Sequence, residues 1–146
     1  MLDEKLVSDI DKAREIMATK GYSIVVVKNK KTLFTKTGEG VKPILETIEE
    51  LGERMHDTVV GDRVLGKASA LLCRYSKVKG VYSPQATKTA IALLIIGGIP
   101  CQVDKVIPFI QNKSKEGYCP FEKMLEDVES PEMAYKILKE NVLKKK

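Results

Sequence analysis

The sequence contains no tryptophan, and aromatic residues make up only 5% of it, so there is little on which bases or sugars could stack. It has a single histidine, His56, and three cysteines, Cys73, Cys101 and Cys119. Three thiols at wide spacings form no disulfide framework and suit a reducing compartment. No two of them have the spacing of a metal knuckle. Long hydrophobic runs are also missing: the longest, AIALLIIGGI, is about half the length that a membrane-spanning helix requires. The N-terminal MLDEKLVSDIDKA carries acids early and lacks an apolar core of signal-peptide length. These absences lead to the expectation of a cytoplasmic protein with no membrane partner.

What is present has ordinary globular proportions, with 43% apolar and 31% charged residues in a chain of 146. A chain of this size buries roughly 70% of its unfolded surface, enough for one domain. One domain over residues 1–146 is expected, with C-terminal helices from about residue 119. Lys and Arg number 25 against 20 Asp and Glu, a formal net charge of +5. Much of the excess lies in the terminal LKKK and in KNKK, Lys28 to Lys31. Such runs read as solvated edges rather than a groove, which disfavours nucleic acid as a partner and leaves a homo-oligomer open.

Periodicity divides the chain into elements. Leu6, Ile10, Ala13, Ile16 and Met17 recur at helical spacing and predict a helix over about residues 3–20, ended by Gly21. YSIVVVKN has the unbroken apolar centre of a buried strand, and KTLFTKTG follows after a short polar turn, which predicts an antiparallel hairpin. A Pro-led helix, KPILETIEELGERM, places Ile44, Leu45, Ile48, Leu51 and Met55 on one face, and DTVVG then reads as a short strand. The second half alternates helix DRVLGKASALLCRY, strand VKGVY, helix PQATKTAIALLIIG and strand IPCQV, with KVIPFI after it. This alternation predicts right-handed βαβ units and a parallel sheet. Pro100 and Pro108 imply that the sheet ends there. Two short helices, CPFEKMLEDV and SPEMAYKILKENVL, close the chain, the second starting at Ser130. The fold class that results is α/β, three layers (α/β/α) with a mixed sheet.

The helix after Gly61 is expected to begin at Asp62, whose carboxylate would cap it, with Lys67 in its second turn. A desolvated lysine there could act as base or nucleophile, whereas a lysine snorkelling to the rim of a central helix is the commoner arrangement. In VYSPQATKTAIALLIIGG, Ser83 and Pro84 read as the start of the next helix, with Gln85 and Lys88 in its first turn.

A helix, an antiparallel hairpin and then two helix–strand units with an extra strand, the order α-β-β-α-β-α-β-β, resemble the cytidine-deaminase-like superfamily over about residues 1–110. In that superfamily one helix begins with a His-Ala-Glu type motif and the next with Pro-Cys-x-x-Cys, and the two starts together hold zinc. Here SPQATK has the Ser-Pro lead of the second motif, but Gln85 and Lys88 stand where the thiolates belong. LGKA, Leu65 to Ala68, offers neither His nor Glu. Zinc deamination requires three protein ligands and a carboxylate that shuttles the proton, so the resemblance implies the fold without the metal site, and no cofactor is expected. More closely, DRVLGKASALL, VKGVYS and the late N…G.CP.E element look like a small uncharacterised bacterial family within the superfamily.

That late element, IQNKSKEGYCPFE, sets Cys119 before Pro120 at a helix start, where peptide dipoles favour a thiolate. Glu122 could reach back as a capping partner of its own helix, and a nearby carboxylate raises a thiol's pKa. The alternative is a plain helix start pinned by Phe121. Cys73 and Cys101 lie inside apolar segments and read as packing residues.

Two functions from different classes follow. One is a binding or regulatory protein for a small molecule, of nucleotide-like character, with Ser83, Gln85 and Asn112 as ligand-binding residues and a free helix N-terminus at Ser83 and Pro84. The other is a zinc-independent enzyme with Cys119 as nucleophile or redox thiol and Asp62, Lys67 and Glu122 supplying charge. If a site survives, Asp62, Lys67, Cys119 and Glu122 are expected around one cleft.

Overall fold

The computed structural model describes residues 4–108 and 120–143, with no side-chain description at 120 and 121. The elements run α1 (Glu4–Lys20), β1 (Ile24–Lys28), β2 (Lys31–Lys36), α2 (Lys42–Leu51) with a 3-10 turn at Gly52–Met55, β3 (Val59–Asp62), α3 (Lys67–Tyr75), β4 (Gly80–Thr87), α4 (Lys88–Ile96), β5 (Cys101–Ile107), α5 (Pro120–Met124) and α6 (Pro131–Leu138). The five strands form one sheet in the order β2-β1-β3-β4-β5. β1 is antiparallel to both β2 and β3, and β3, β4 and β5 are mutually parallel.

The hairpin forms because the unbroken apolar stretch of β1 is buried on both faces, with Ile24 to Val27 all in the core. Its two-residue turn puts Asn29 and Lys30 at positive φ, as the hairpin turn matched to strand twist demands. The buried Asp9 of α1 holds that turn, accepting from the Asn29 N–H at 3.2 Å and the Lys30 N–H at 2.7 Å. Gly21 at positive φ terminates α1.

Alternation along the strands sorts the side chains into two layers. Val25, Val27, Val59 and Tyr82 meet Leu6, Ile10 and Ala13 of α1. Ile24, Val26, Val60 and Val81 face the larger cluster built from α2, α3, α4 and α6. Helices therefore cover both faces, as the apolar periodicity predicts. β5 closes the sheet at one edge, with Pro100 immediately before it and Pro108 immediately after it. The residues from Cys101 to Ile107, read as parts of two strands, are thus one strand, with Pro100, which lends only its carbonyl to the Val81 N–H at 3.1 Å, and Pro108 at its two ends. Ser130 caps α6, its hydroxyl accepting from the Met133 N–H at 3.2 Å.

Two helix starts differ from expectation. α3 begins at Lys67, not at Asp62, and Asp62 is the last residue of β3. Leu65 extends that edge by bridging to Ala86, its N–H donating to the Gln85 carbonyl at 2.9 Å and its carbonyl accepting from Thr87 N–H at 3.0 Å. The same bonds hold Gln85 to Thr87 in β4, so Ser83 and Pro84 lie within a strand and α4 starts at Lys88. Thr87 is its N-cap, accepting from the Ala90 N–H at 3.1 Å. The ladder with β5 passes from Ser83 to Gln85 without pairing Pro84, which is how the strand tolerates a residue that cannot donate.

Candidate functional site

The parallel pairing of β3 with β4 holds at Val59, Val60 and Gly61, breaks, and resumes in the same register at Leu65. Within the break Asp62 ends its strand just before α3 starts. The crevice outside the carboxyl ends of parallel strands is where open α/β sheets place ligands.

α3 has no cap of its own, because its N-cap position is Gly66, which has no side chain. Its first N–H groups, four of which every helix leaves unpaired, point instead at Glu122. The Lys67 N–H donates to Glu122 Oε1 at 2.7 Å and the Ala68 N–H to Oε2 at 2.8 Å. A carboxylate held by two N–H groups at the positive end of a helix dipole is a strong, charge-assisted arrangement. Glu122 is thus a cap, but of α3 rather than of its own helix.

The Lys67 side chain turns the other way. Its ammonium donates to Glu129 Oε2 at 2.8 Å and to the Glu126 carbonyl at 3.0 Å, and only 12% of the side chain is exposed. That hydrogen bond holds the Glu129 carboxyl below its ordinary range. The lysine is the first residue of α3 and fastens the helix to the α5–α6 connection.

Asp62 is 7% exposed. Burial, the largest influence, pushes its carboxyl up to about 7, and the Glu122 charge adds to this, while the Ser69 side chain, the Val64 N–H and the Arg63 charge oppose it. Oδ1 accepts a long bond from Val64 N–H at 3.4 Å. Oδ2 is buried with no hydrogen-bond partner among the described residues, a costly condition that calls for an explanation. Near neutral pH this carboxyl can donate when protonated and accept when ionised.

The remaining candidates are placed differently. Ser83 is fully buried, and its hydroxyl donates to the Gln85 carbonyl at 2.6 Å and accepts from the Gln85 N–H at 3.2 Å. It is consumed by its own strand, so the expected free helix N-terminus at Ser83 and Pro84 does not exist. Gln85 is exposed. Asn112 and Cys119 lie outside the described residues. Glu122 meets the backbone N–H of Lys67 and its charge reaches Asp62, but the Lys67 side chain lies on Glu126 and Glu129 instead. Burial raises the pKa of the Cys73 thiol and, less completely enclosed, of Cys101. Ser69 and the cross-chain role of Glu122 are the parts of the site that local patterns missed.

The described residues at the two helix starts do not fit zinc. Among the described residues no group of three or more His, Cys, Asp or Glu side chains could hold a metal ion. Gly66, Lys67 and Ala68 stand at the start of α3, and Lys88 opens α4. Glu122 is already committed to two backbone donors.

With this geometry established, comparison with known proteins adds the following. Residues 12–142 match the model of the TM1506 family, described as a domain of unknown function, DUF1893. No curated protein matches the chain. A solved DUF1893 family protein, TM1506 from Thermotoga maritima, superimposes with a TM-score of 0.81 at 24% identity, covering 97% of this chain and 92% of that one. RibD from Acinetobacter baumannii in its form 1 superimposes with a TM-score of 0.52 at 13% identity, over 68% of this chain and 35% of that one. Its form 2 gives a TM-score of 0.51 at 12% identity. The fold is the expected three-layer α/β arrangement with a mixed sheet and resembles that of RibD, with three helix–strand units after the hairpin in place of two and an extra strand. No helix among the described residues is long and apolar enough to cross a membrane.

Proposed function

The chain belongs to the DUF1893 family, and from that premise and the geometry above we infer that it is a small-molecule binding or regulatory protein whose site lies at the start of α3. The observation that carries this reading is Asp62 Oδ2, a buried polar atom with no partner among the described residues. An unpaired buried acceptor costs about 1–3 kcal/mol, more when charged, and a fold that needed only stability would fill the position with an apolar residue or supply a donor. A bound molecule with an N–H or O–H group supplies it instead.

The ligand class is a polar, nucleotide-like heterocycle. Its ring edge would pair with Asp62, and its carbon skeleton would lie in the break between β3 and β4. The few aromatic residues of the chain mean that hydrogen bonds, rather than stacking, supply the recognition. The test is an NMR titration of the four common ribonucleosides and their 5′-monophosphates into the labelled protein. At least one should shift the backbone amides of Gly61, Asp62 and Gly66 to Ser69 saturably, and Asp62→Ala should abolish the response. If none shifts those amides, or if the Asp62→Ala protein responds equally, the reading is wrong.

A further inference from the structure

One short stretch of chain grips the start of α3 twice. Glu122 takes the Lys67 and Ala68 N–H groups, and Glu129, with the Glu126 carbonyl, takes the Lys67 ammonium. From Glu122 to Glu129 Leu125 is buried in the main core and Val128 packs against it, while the other contacts with α3 are polar. α6 is anchored independently: Ala134 and Leu138 are buried in the main core, and the Tyr135 ring stacks on Tyr75 at 4.2 Å between centroids. Glu122 and α5 precede Leu125 in the chain, so they can swing away while Leu125 and α6 stay in the core.

A helix that needs only a cap takes it from the residue before it, where Ser, Thr, Asp or Asn suffices. α3 has Gly66 at that place and receives a carboxylate from 54 residues beyond Ala68. Asp62 is near enough for the Glu122 charge to raise its carboxyl, and its Oδ2 is buried and unpartnered among the described residues. Two converging N–H groups and an unfilled buried carboxyl are the outline of a binding site, and Glu122 occupies its anionic half.

We propose that Glu122 is an intramolecular occupant of an anion subsite: the carboxylate or phosphate group of a small molecule takes the Lys67 and Ala68 N–H groups in its place, and Glu122 leaves with α5 while α6 stays docked. This rests on the binding function inferred above and adds its regulation. A tethered competitor acts at an effective concentration of millimolar or more, so a bare anion binds the native chain weakly. A ligand that also engages Asp62 has the second foothold needed to displace it. Occupancy is then reported by the position of α5.

The experiment compares the native chain with Glu122→Ala, titrating acetate and inorganic phosphate against sodium chloride at equal ionic strength and following backbone amides by NMR. The variant should bind acetate or phosphate saturably at the Lys67 and Ala68 amides, at least tenfold more tightly than the native chain. In the native chain, high concentrations of the same anion should increase hydrogen exchange in α5 and leave α6 unchanged. The tighter-binding anion distinguishes a carboxylate ligand from a phosphate one. Should Glu122→Ala fail to fold, Glu122→Gln, which keeps the shape and loses the charge, should show a gain of at least threefold. Equal affinities in variant and native chain, or a response to chloride of the same size, overturn the proposal. That failure would leave the response of neutral ribonucleosides at Asp62 untouched, so the two ideas fall separately.

Discussion

Asp62→Asn replaces a buried carboxyl by a neutral group of the same shape, and the structure fixes how its effect must vary with pH. Asp62 is pushed from an ordinary 3.8 up to about 7 in the folded protein, chiefly by burial. Below pH 3.8 the carboxyl is protonated whether the chain is folded or not, and it neither adds nor removes stability. Between 3.8 and 7 the unfolded chain ionises while the folded one keeps its proton, so stability falls as pH rises. Above 7 both states are ionised and the penalty is complete. A displacement of about 3 pH units at about 1.36 kcal/mol each gives a penalty of about 4 kcal/mol above pH 7. The asparagine has no such penalty. Urea unfolding of both proteins from pH 4 to 9 should therefore show nearly equal stabilities at pH 4 and a growing advantage for Asp62→Asn, levelling at a few kcal/mol above pH 7.5. A difference that is flat across this range, or that shrinks with pH, would refute the claim that burial of Asp62 outweighs the groups that compensate it.

Two further predictions concern the opposite face of the sheet. A Cβ at Gly80 would stand 2.5 Å from Leu6 Cδ1 and 3.5 Å from Val59 Cγ2, so Gly80→Ala should push α1 off the sheet and cost about 1–3 kcal/mol. At Gly61 the nearest atom is the flexible Met17 Sδ, and Gly61→Ala should cost less; guanidinium unfolding that ranks them in the reverse order contradicts this packing. Tyr82 donates its hydroxyl to Asp104 Oδ2 at 2.5 Å while Arg14 donates to Oδ1 at 2.8 Å, and these bonds, the tyrosine's first, hold the Asp104 carboxyl below its ordinary range. Tyr82→Phe should raise the Asp104 titration seen by NMR, and the stability this carboxylate contributes, present above its unfolded pKa and lost as pH falls through the folded one, should shrink; an unmoved Asp104 titration would show that the phenol does not matter.

The sheet was legible in the sequence wherever burial alone decides conformation. IVVV could only be a strand covered on both faces, Gly21 could only end a helix, and the prolines at 100 and 108 placed the end of the sheet, although the segment between them was read as two strands rather than the one that forms. The helix starts were less legible, because the signals for them are local and the bonds that set them are not. Asp62 after a glycine has the form of an N-cap, and Pro84 that of a first helical residue. Both were overruled by Leu65, which pairs with Ala86 and draws Gln85 and Thr87 into the ladder. Nothing within five residues of Leu65 announces a partner 21 positions away.

The site shows the same division in its chemistry. That Glu122 caps a helix could be read from its place near a helix start, but the capping box is a three-residue pattern, and the N–H groups it meets belong to Lys67 and Ala68. Charge and spacing identify a carboxylate in search of donors without identifying the donors, since those are chosen by how α5 packs on α3. Asp62 is the harder case, for after VVG it reads as the cap of a new helix, whereas the structure keeps it in β3 and resumes pairing beyond it at Leu65. Its burial serves no bond that the described residues make with Oδ2, and near neutral pH it weakens the fold. Proteins keep such costs where function needs them. The Glu122 charge is itself one of the influences that raise Asp62, so the cap of α3 and the buried acid at the end of β3 are electrostatically linked, and a change of charge at one is felt at the other.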